Sequence, residues 1–132
     1  MTAQPLPSEL RPCSKRIDRK AILLYARITD DFNPIHVDEE FAAQSPMGGI
    51  IAHGMLSLNL IFQSLRATLG NAGSRDMEVA IRFTKPVRID DMVTAGGSLT
   101  DAATGRYEVW VRNQAGEAVI AGSASPVAGR GT

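Results

Sequence analysis

The chain has 132 residues, 44% of them hydrophobic, so one domain spanning residues 1–132 can bury a core without disulfides or a structural metal. Its only thiol and imidazole side chains are Cys13, His36 and His53, which excludes a Cys/His zinc site and favours the reducing cytoplasm. Basic and acidic residues number 14 each, with no long basic run and no stretch of about 20 apolar residues, so neither nucleic acid nor a membrane is expected as a partner.

The first predicted helix covers residues 19–28. Asp18 precedes it as an N-cap, and apolar residues recur within it at helical spacing. The helix should end near Asp30, because the Asn33-Pro34 turn lies just beyond and a residue before proline disfavours the helical conformation. Residues 31–37 are therefore expected to form a loop.

Two further helices are predicted before the periodicity changes. Asp38 is followed by acidic residues, which favour the positive end of a helix dipole, and a short helix is predicted over residues 39–43. A longer helix is predicted over residues 53–69. Its first half is apolar nearly all round, which is typical of a buried helix.

Alternating apolar and polar residues predict strands in the second half of the chain. The four segments are residues 77–83, 93–99, 107–111 and 118–122. Short loops join the last three into a meander, and the sheet must cover the long apolar helix, which predicts an α+β domain of two layers. Gly96 and Gly97 within a strand indicate a bulge or a close backbone approach, and residues 124–132 are expected to fray.

The turn between the first two helices is the segment most suggestive of chemistry. Asp31 and His36 lie five positions apart around Pro34, so the turn can point both side chains at one place. A carboxylate and an imidazole facing one water molecule can activate it, because one group accepts a proton while the other orients the water or returns the proton. Alternatively, Asp31 forms an Asx turn and His36 hydrogen bonds a backbone carbonyl.

The start of the long helix is a second candidate site. Its free backbone N–H groups can stabilise negative charge on a carbonyl oxygen, and Gly54 has no side chain to block them. Alternatively, Gly54 allows close helix packing, and His53 is a capping or core residue.

Together these two segments resemble the (R)-specific enoyl-CoA hydratases and MaoC-like dehydratases, a family with the hot-dog fold. The family signature is an aromatic residue, a turn of small residues and then Asp-x-Asn-Pro-aliphatic-His-x5-Ala. The matching residues are Tyr25, Ile28, Thr29, Asp31, Asn33, Pro34, Ile35, His36 and Ala42. Residues 51–56 match the start of the family's central helix, and the resemblance covers residues 14–125.

This resemblance implies an antiparallel sheet wrapped around a long central helix, and a hydro-lyase that adds water reversibly to a trans-2-enoyl thioester to give an (R)-3-hydroxyacyl thioester. In the family, the residues matching Asp31 and His36 activate the water, and the backbone N–H matching Gly54 binds the thioester carbonyl. Asn33 and Pro34 would support the loop. No metal or cofactor is implied, the substrate would carry coenzyme A or acyl carrier protein, and a homodimer is expected.

The chain departs from the family pattern at Asp30, at Asn59 and in its amino-terminal segment. Asp30 replaces the glycine that usually precedes the catalytic aspartate, and it can change the backbone geometry of the loop. Asn59 stands where several members have a serine near the catalytic pair, and it is expected to bind substrate because it can still form hydrogen bonds. The amino terminus leaves little room for the first strand and lid region of longer members.

Two other functions are compatible with the sequence. Hot-dog domains also host acyl-thioesterases, since a fold does not determine a function, although the Asn-Pro-Ile-His loop favours the hydratase. The departures at Asp30 and Asn59 also allow a catalytically silent subunit that binds acyl thioesters or stabilises a heterodimer. Trp110 is predicted on the outer face of the sheet, where it is a candidate dimer contact.

Overall fold

A computed structural model of the chain describes residues 5–127. In chain order its elements are β1 (Cys13–Ile17), α1 (Arg19–Thr29), α2 (Pro34–Val37), α3 (Glu39–Gln44), α4 (Gly54–Ser74), β2 (Met77–Phe83), β3 (Asp91–Asp101), β4 (Arg106–Arg112) and β5 (Ala118–Pro126). The strands pair antiparallel in the order β1-β3-β4-β5-β2. Within the described residues no helix has both the length and the apolar character needed to cross a membrane.

One face of the sheet packs against α4 and forms the core. Alternate strand residues point toward the helix, as the period of two requires. The fully buried side chains include Val93, Val109, Val111, Ile61 and Leu65. This arrangement is the predicted α+β hot-dog fold, with an antiparallel sheet around a long helix.

The predicted ends of α1 are confirmed by its caps. The Oδ1 atom of Asp18 accepts a hydrogen bond from the Ala21 N–H at 2.8 Å. At the other end, Asp30 adopts the left-handed conformation (φ 56°, ψ 38°), and its N–H donates to the Ala26 carbonyl. The chain therefore leaves α1 one residue before Asp31.

The prediction that residues 31–37 form a loop is wrong for Pro34–Val37, which form the short helix α2. Asn33 is its N-cap, and the Asn33 Oδ1 atom accepts from the Ile35 N–H at 3.2 Å. Proline is favoured in the first turn of a helix because its missing N–H needs no partner there. The Asn33-Pro34 pair therefore forms the predicted turn and also begins the helix α2.

The amino-terminal segment does contain a first strand, contrary to expectation. Cys13–Ile17 form β1 at the edge of the sheet, paired with β3. Its central residues are exposed and only Ile17 is fully buried, so the strand has no clear apolar alternation. Further upstream, the Leu10 N–H donates to the Gly97 carbonyl at 2.9 Å, which holds the segment against the sheet.

Gly97 confirms the predicted close approach within β3. A Cβ atom on Gly97 would lie 2.5 Å from the Glu108 carbonyl oxygen and 2.7 Å from Leu10 Cδ1. The irregularity in pairing lies further along, between Leu99 and Asp101. The fraying predicted for residues 124–132 is wrong up to residue 126, where β5 ends, and residues 128–132 lie outside the described residues.

The helix α4 is buried on one side only, whereas burial all round was predicted for its first half. Met55 and Phe62 are 50% and 45% exposed, and Asn59 between them is also exposed. These three residues form an exposed stripe at helical spacing. The sheet covers only the opposite side of the helix, because one sheet can contact only one face of a cylinder.

Candidate active site

Asp31, His36 and His53 come together at the turn that follows α1. Each offers an oxygen or nitrogen atom of its side chain, and these atoms lie within 4.8 Å of one another. Asp31 is exposed, His36 is half-buried and His53 is buried. The turn thus brings the aspartate and histidine together, and the fold adds a second imidazole.

Hydrogen bonds within the loop orient Asp31. Its N–H donates to the Ala26 carbonyl at 3.0 Å, and its Oδ1 atom accepts from the Asn33 N–H at 3.2 Å. The Asx turn considered as the structural alternative is therefore present. It uses one carboxylate oxygen, so Oδ2 is available to a water molecule.

The ring of His36 is held by a backbone carbonyl. Its Nδ1 atom lies 2.7 Å from the Ile51 carbonyl oxygen. A carbonyl oxygen can only accept, so Nδ1 carries the hydrogen, and in the neutral ring Nε2 has a free lone pair. The structural and chemical roles of His36 therefore use opposite edges of the ring.

His53 links the Asp31 backbone to the His36 ring. Its Nε2 atom lies 3.0 Å from the Asp31 carbonyl oxygen. Its ring stacks on His36 with centroids 3.9 Å apart and contacts Tyr25 at 5.0 Å. Although His53 is the N-cap residue of α4, its side chain makes no capping hydrogen bond. Of the two structural alternatives for His53, the core position is the observed one.

A cavity of about 390 Å³ lies beside this group, and both His36 and Gly54 line it. Most of its wall is apolar, including Met47, Ile51, Phe83, Val87, Val119 and Ile120. Gly54 is the first residue of α4, where a backbone N–H has no partner within the helix. A Cβ atom on Gly54 would lie 2.6 Å from Phe83 Cε1, so the missing side chain also allows Phe83 to pack against the helix start.

Helix geometry decides which residues of α4 reach this cavity. At about 100° per residue, Ser57 lies roughly 60° around the helix from Gly54, whereas Asn59 lies roughly 140° away. Ser57 lines the same cavity and is 1% exposed. Asn59 instead lines a separate cavity of about 670 Å³, on the exposed stripe. The structure does not bring Asn59 to His36, and its role in substrate binding stays a prediction.

Sequence reasoning missed Ser57, although the spacing of three residues from Gly54 could have identified it. Its Oγ atom and His53 Nδ1 are the buried side-chain polar atoms that lack a hydrogen-bond partner among residues 5–127. Leaving a buried polar group unsatisfied costs about 1–3 kcal/mol. Such a group within a cavity is therefore a candidate contact for a ligand.

Lys85 places a positive charge on the wall of the cavity. Its ammonium group forms an ion pair with Glu117, and the Asn113 side chain also donates to that carboxylate. These contacts hold the pKa of Glu117 below its ordinary value, chiefly through the hydrogen bond from Lys85. Lys85 is thus already neutralised by a neighbour.

Asp31, His36 and His53 are also residue types that bind metal ions. A histidine lone pair lies in the plane of its ring, and the two rings are stacked with planes only 28° apart. One nitrogen of each ring is already bonded to a backbone carbonyl, Nδ1 of His36 to Ile51 and Nε2 of His53 to Asp31, so each ring has one nitrogen left for an ion.

Comparisons with known proteins identify the family to which the chain is similar. The family profile described as "MaoC like domain" matches residues 4–119. The chain is 36% identical over 115 residues to an (R)-specific enoyl-CoA hydratase from Rhodospirillum rubrum, covering 85% of this chain and 80% of that protein. It is 40% identical over 79 residues to a 3-hydroxybutyryl-CoA dehydratase from Methylorubrum extorquens, covering 60% of this chain and 50% of that protein.

A solved structure shows the same fold. The (R)-hydratase from A. caviae involved in PHA biosynthesis superimposes with a TM-score of 0.79 at 28% sequence identity. The match covers 93% of this chain and 97% of that chain. The hot-dog architecture therefore extends over nearly the whole of both molecules.

Proposed function

Because this chain belongs to the MaoC-like domain family, we propose that it adds water reversibly to a trans-2-enoyl-CoA and forms an (R)-3-hydroxyacyl-CoA. The observation that carries the proposal is the proximity of Asp31 and His36 beside a largely apolar cavity that also contains the start of α4. The relatives named as (R)-specific enoyl-CoA hydratases support the same reaction type. The apolar wall suits the acyl chain.

In the proposed mechanism, Asp31 and His36 hold the attacking water between the Oδ2 and Nε2 atoms. As the water oxygen bonds to C3, its proton passes to this pair, and the π electrons move toward the thioester oxygen. The Gly54 N–H stabilises the resulting enolate-like charge, and C2 then takes up a proton from the pair. Positioned acid–base groups of this kind typically contribute about 10²–10⁴-fold in rate.

The loop residues Asn33 and Pro34 support this arrangement without contacting substrate. Asn33 donates to Asp31 and caps α2, and Pro34 begins the turn of helix that carries His36. No metal or redox cofactor is proposed, because the thioester itself acidifies C2 and polarises the alkene. Cys13 is a free, half-buried thiol, which supports the reducing cytoplasm as the location.

We also propose that the protein acts as a homodimer. The exposed stripe of α4 places Met55 and Phe62 on the surface, and Phe32 and Phe41 are each about half exposed as well. Large apolar side chains exposed on one side of a helix, such as Met55 and Phe62, are candidates for an interaction surface. A second copy would cover the side of α4 that the sheet leaves open.

Purified protein mixed with crotonyl-CoA tests the proposed reaction. The conjugated enoyl absorbance should fall, and the product should be the (R)-3-hydroxy thioester by chiral analysis. Asp31→Asn removes the carboxylate while keeping its shape, so we expect hydration to fall by about 10²–10⁴-fold with the fold retained.

Asp30→Asn is the matched control, because it removes the neighbouring carboxylate, and it should leave the hydration rate nearly unchanged. Full activity in Asp31→Asn would contradict the assigned roles. Release of free thiol from the substrate would indicate a thioesterase instead. Binding of crotonyl-CoA and of longer enoyl-CoAs without any turnover would indicate a silent subunit.

A further inference from the structure

Ser57 is a buried hydroxyl group with no partner among the described residues. Several other hydroxyls on α1 and α4 do have partners: Thr29 and Thr68 donate to the carbonyl four residues earlier, at 2.8 and 2.7 Å. Ser64, equally buried on α4, donates to the Arg11 carbonyl. Since buried donors in folded proteins almost always have a partner, the exception at Ser57 indicates that something else completes its bonding.

The position of Ser57 indicates what that partner is. Side chains on a helix lean toward its amino terminus, so Ser57 leans toward the turn that begins with Gly54. Both residues line the cavity beside His36. The cavity therefore has two hydrogen-bond donors close together on one side, the Gly54 N–H and the Ser57 hydroxyl, within walls that are otherwise mainly apolar.

We propose that the Ser57 hydroxyl donates a hydrogen bond to the carbonyl oxygen of the acyl thioester, beside the Gly54 N–H; this inference rests on the proposed function. The carbonyl satisfies the donor that residues 5–127 leave unpaired. As water adds to C3, negative charge develops on that oxygen, so a neutral hydroxyl binds it more strongly in the transition state than in the ground state. Ser57 is thus a substrate-binding residue whose effect falls mainly on kcat.

Kinetics of Ser57→Ala with crotonyl-CoA test this role. We expect kcat to fall on the order of 10²-fold while KM rises by no more than about 3- to 10-fold, because loss of a single donor to a developing oxyanion acts mainly on the transition state. Ser57→Cys keeps the size of the side chain with a weaker donor, and its kcat should lie between the two. It also guards against a packing defect in the alanine variant.

Ser64→Ala is the matched control, since Ser64 is equally buried on the same helix but has a protein partner. The Tm of thermal unfolding should distinguish the role of Ser64 from that of Ser57. Ser64→Ala should lower Tm and leave kcat near the wild-type value, because it leaves the Arg11 carbonyl without its donor. Ser57→Ala should leave Tm unchanged or raise it, because it removes a donor that had no partner.

Binding measurements test the contact without turnover. Butyryl-CoA has the thioester carbonyl but no double bond, and the corresponding S-butyl thioether of coenzyme A lacks the carbonyl. The wild type should bind butyryl-CoA more tightly than the thioether, and Ser57→Ala should lose about 3- to 10-fold of that preference. Ser64→Ala should keep it.

The outcomes separate this inference from the proposed function. If the wild type hydrates crotonyl-CoA while Ser57→Ala keeps both its kcat and its preference for the carbonyl, the assignment of Ser57 is wrong and the proposed function stands. If the wild type neither hydrates the substrate nor binds butyryl-CoA, the proposed function fails and the assignment fails with it. Loss of kcat and of carbonyl preference, with Tm retained, supports both.

Discussion

At the scale of single residues, the backbone conformation of Asp30 determines how the chain enters the loop that contains Asp31. It ends α1 in the left-handed conformation, which places a side chain close to the following carbonyl oxygen and costs roughly 1–2 kcal/mol for most residues. Aspartate tolerates this conformation better than most, and glycine adopts it freely. Asp30 therefore adopts the left-handed backbone geometry that glycine adopts most readily.

Substituting Asp30 should therefore change stability in a defined order. Asp30→Gly should raise the free energy of unfolding by about 1 kcal/mol, because glycine has no Cβ atom to clash at a positive φ. Asp30→Ala should lower it, since alanine has the Cβ atom without the tolerance of aspartate. Urea denaturation of the three proteins measures the order, and an alanine variant as stable as the glycine variant would contradict it.

At the scale of elements, the amino-terminal segment and β3 stabilise each other across Gly97. The Leu10 side chain is buried and lies where a Cβ atom on Gly97 would point. The Tyr107 hydroxyl on β4 donates to the Pro7 carbonyl, and burial raises the pKa of that hydroxyl above its ordinary value. The segment before β1 is therefore part of the sheet's packing.

Gly97→Ala should destabilise the protein by about 1–3 kcal/mol, the usual cost of overpacking a closely packed site. One of the clashing atoms is the Glu108 carbonyl oxygen, which cannot move without disturbing the β3–β4 pairing. Gly49→Ala is the control, because the nearest atom to its added Cβ is 3.9 Å away on the flexible Arg88 side chain. Equal midpoints of urea denaturation for the two variants would rule out this explanation.

At the scale of the whole molecule, the sheet covers one side of α4, and the opposite side is exposed within the described residues. Trp110 is covered by its own chain, since the Arg112 guanidinium lies 4.1 Å from its ring centroid. Met55 and Phe62 are 50% and 45% exposed, and no other part of residues 5–127 covers them to the same extent. The exposed stripe of α4 is therefore a better candidate than Trp110 for the surface between two copies.

Phe62→Glu should convert the proposed dimer to monomers, because burying an unpaired carboxylate at an apolar contact is costly. Sedimentation analysis should give twice the chain mass of 14.1 kDa for the wild type and the single mass for the variant. Phe62→Leu, which keeps an apolar side chain, should remain dimeric. A dimer that persists in Phe62→Glu would place the interface elsewhere.

Much of the fold was predictable because its signals are local. The Asp18 cap, the acidic start of α3 and the alternation of β2 through β5 each depend on neighbouring residues, and each element forms where it was predicted. Asp31 and His36 also lie within one turn of chain, so their proximity was foreseeable. In contrast, β1 was missed because a sheet edge tolerates polar residues on both faces.

The sequence by itself determined the family, the main helices and strands, and the aspartate–histidine turn, because short-range spacing encodes all of them. Only the tertiary structure decided that His53 stacks on His36, that Ser57 lines the cavity without a partner among residues 5–127, and that Asn59 points away from it. Those facts depend on which face of α4 the sheet covers and on contacts between segments far apart in the chain. Local spacing carries no information about such contacts, because they arise only when the core is packed.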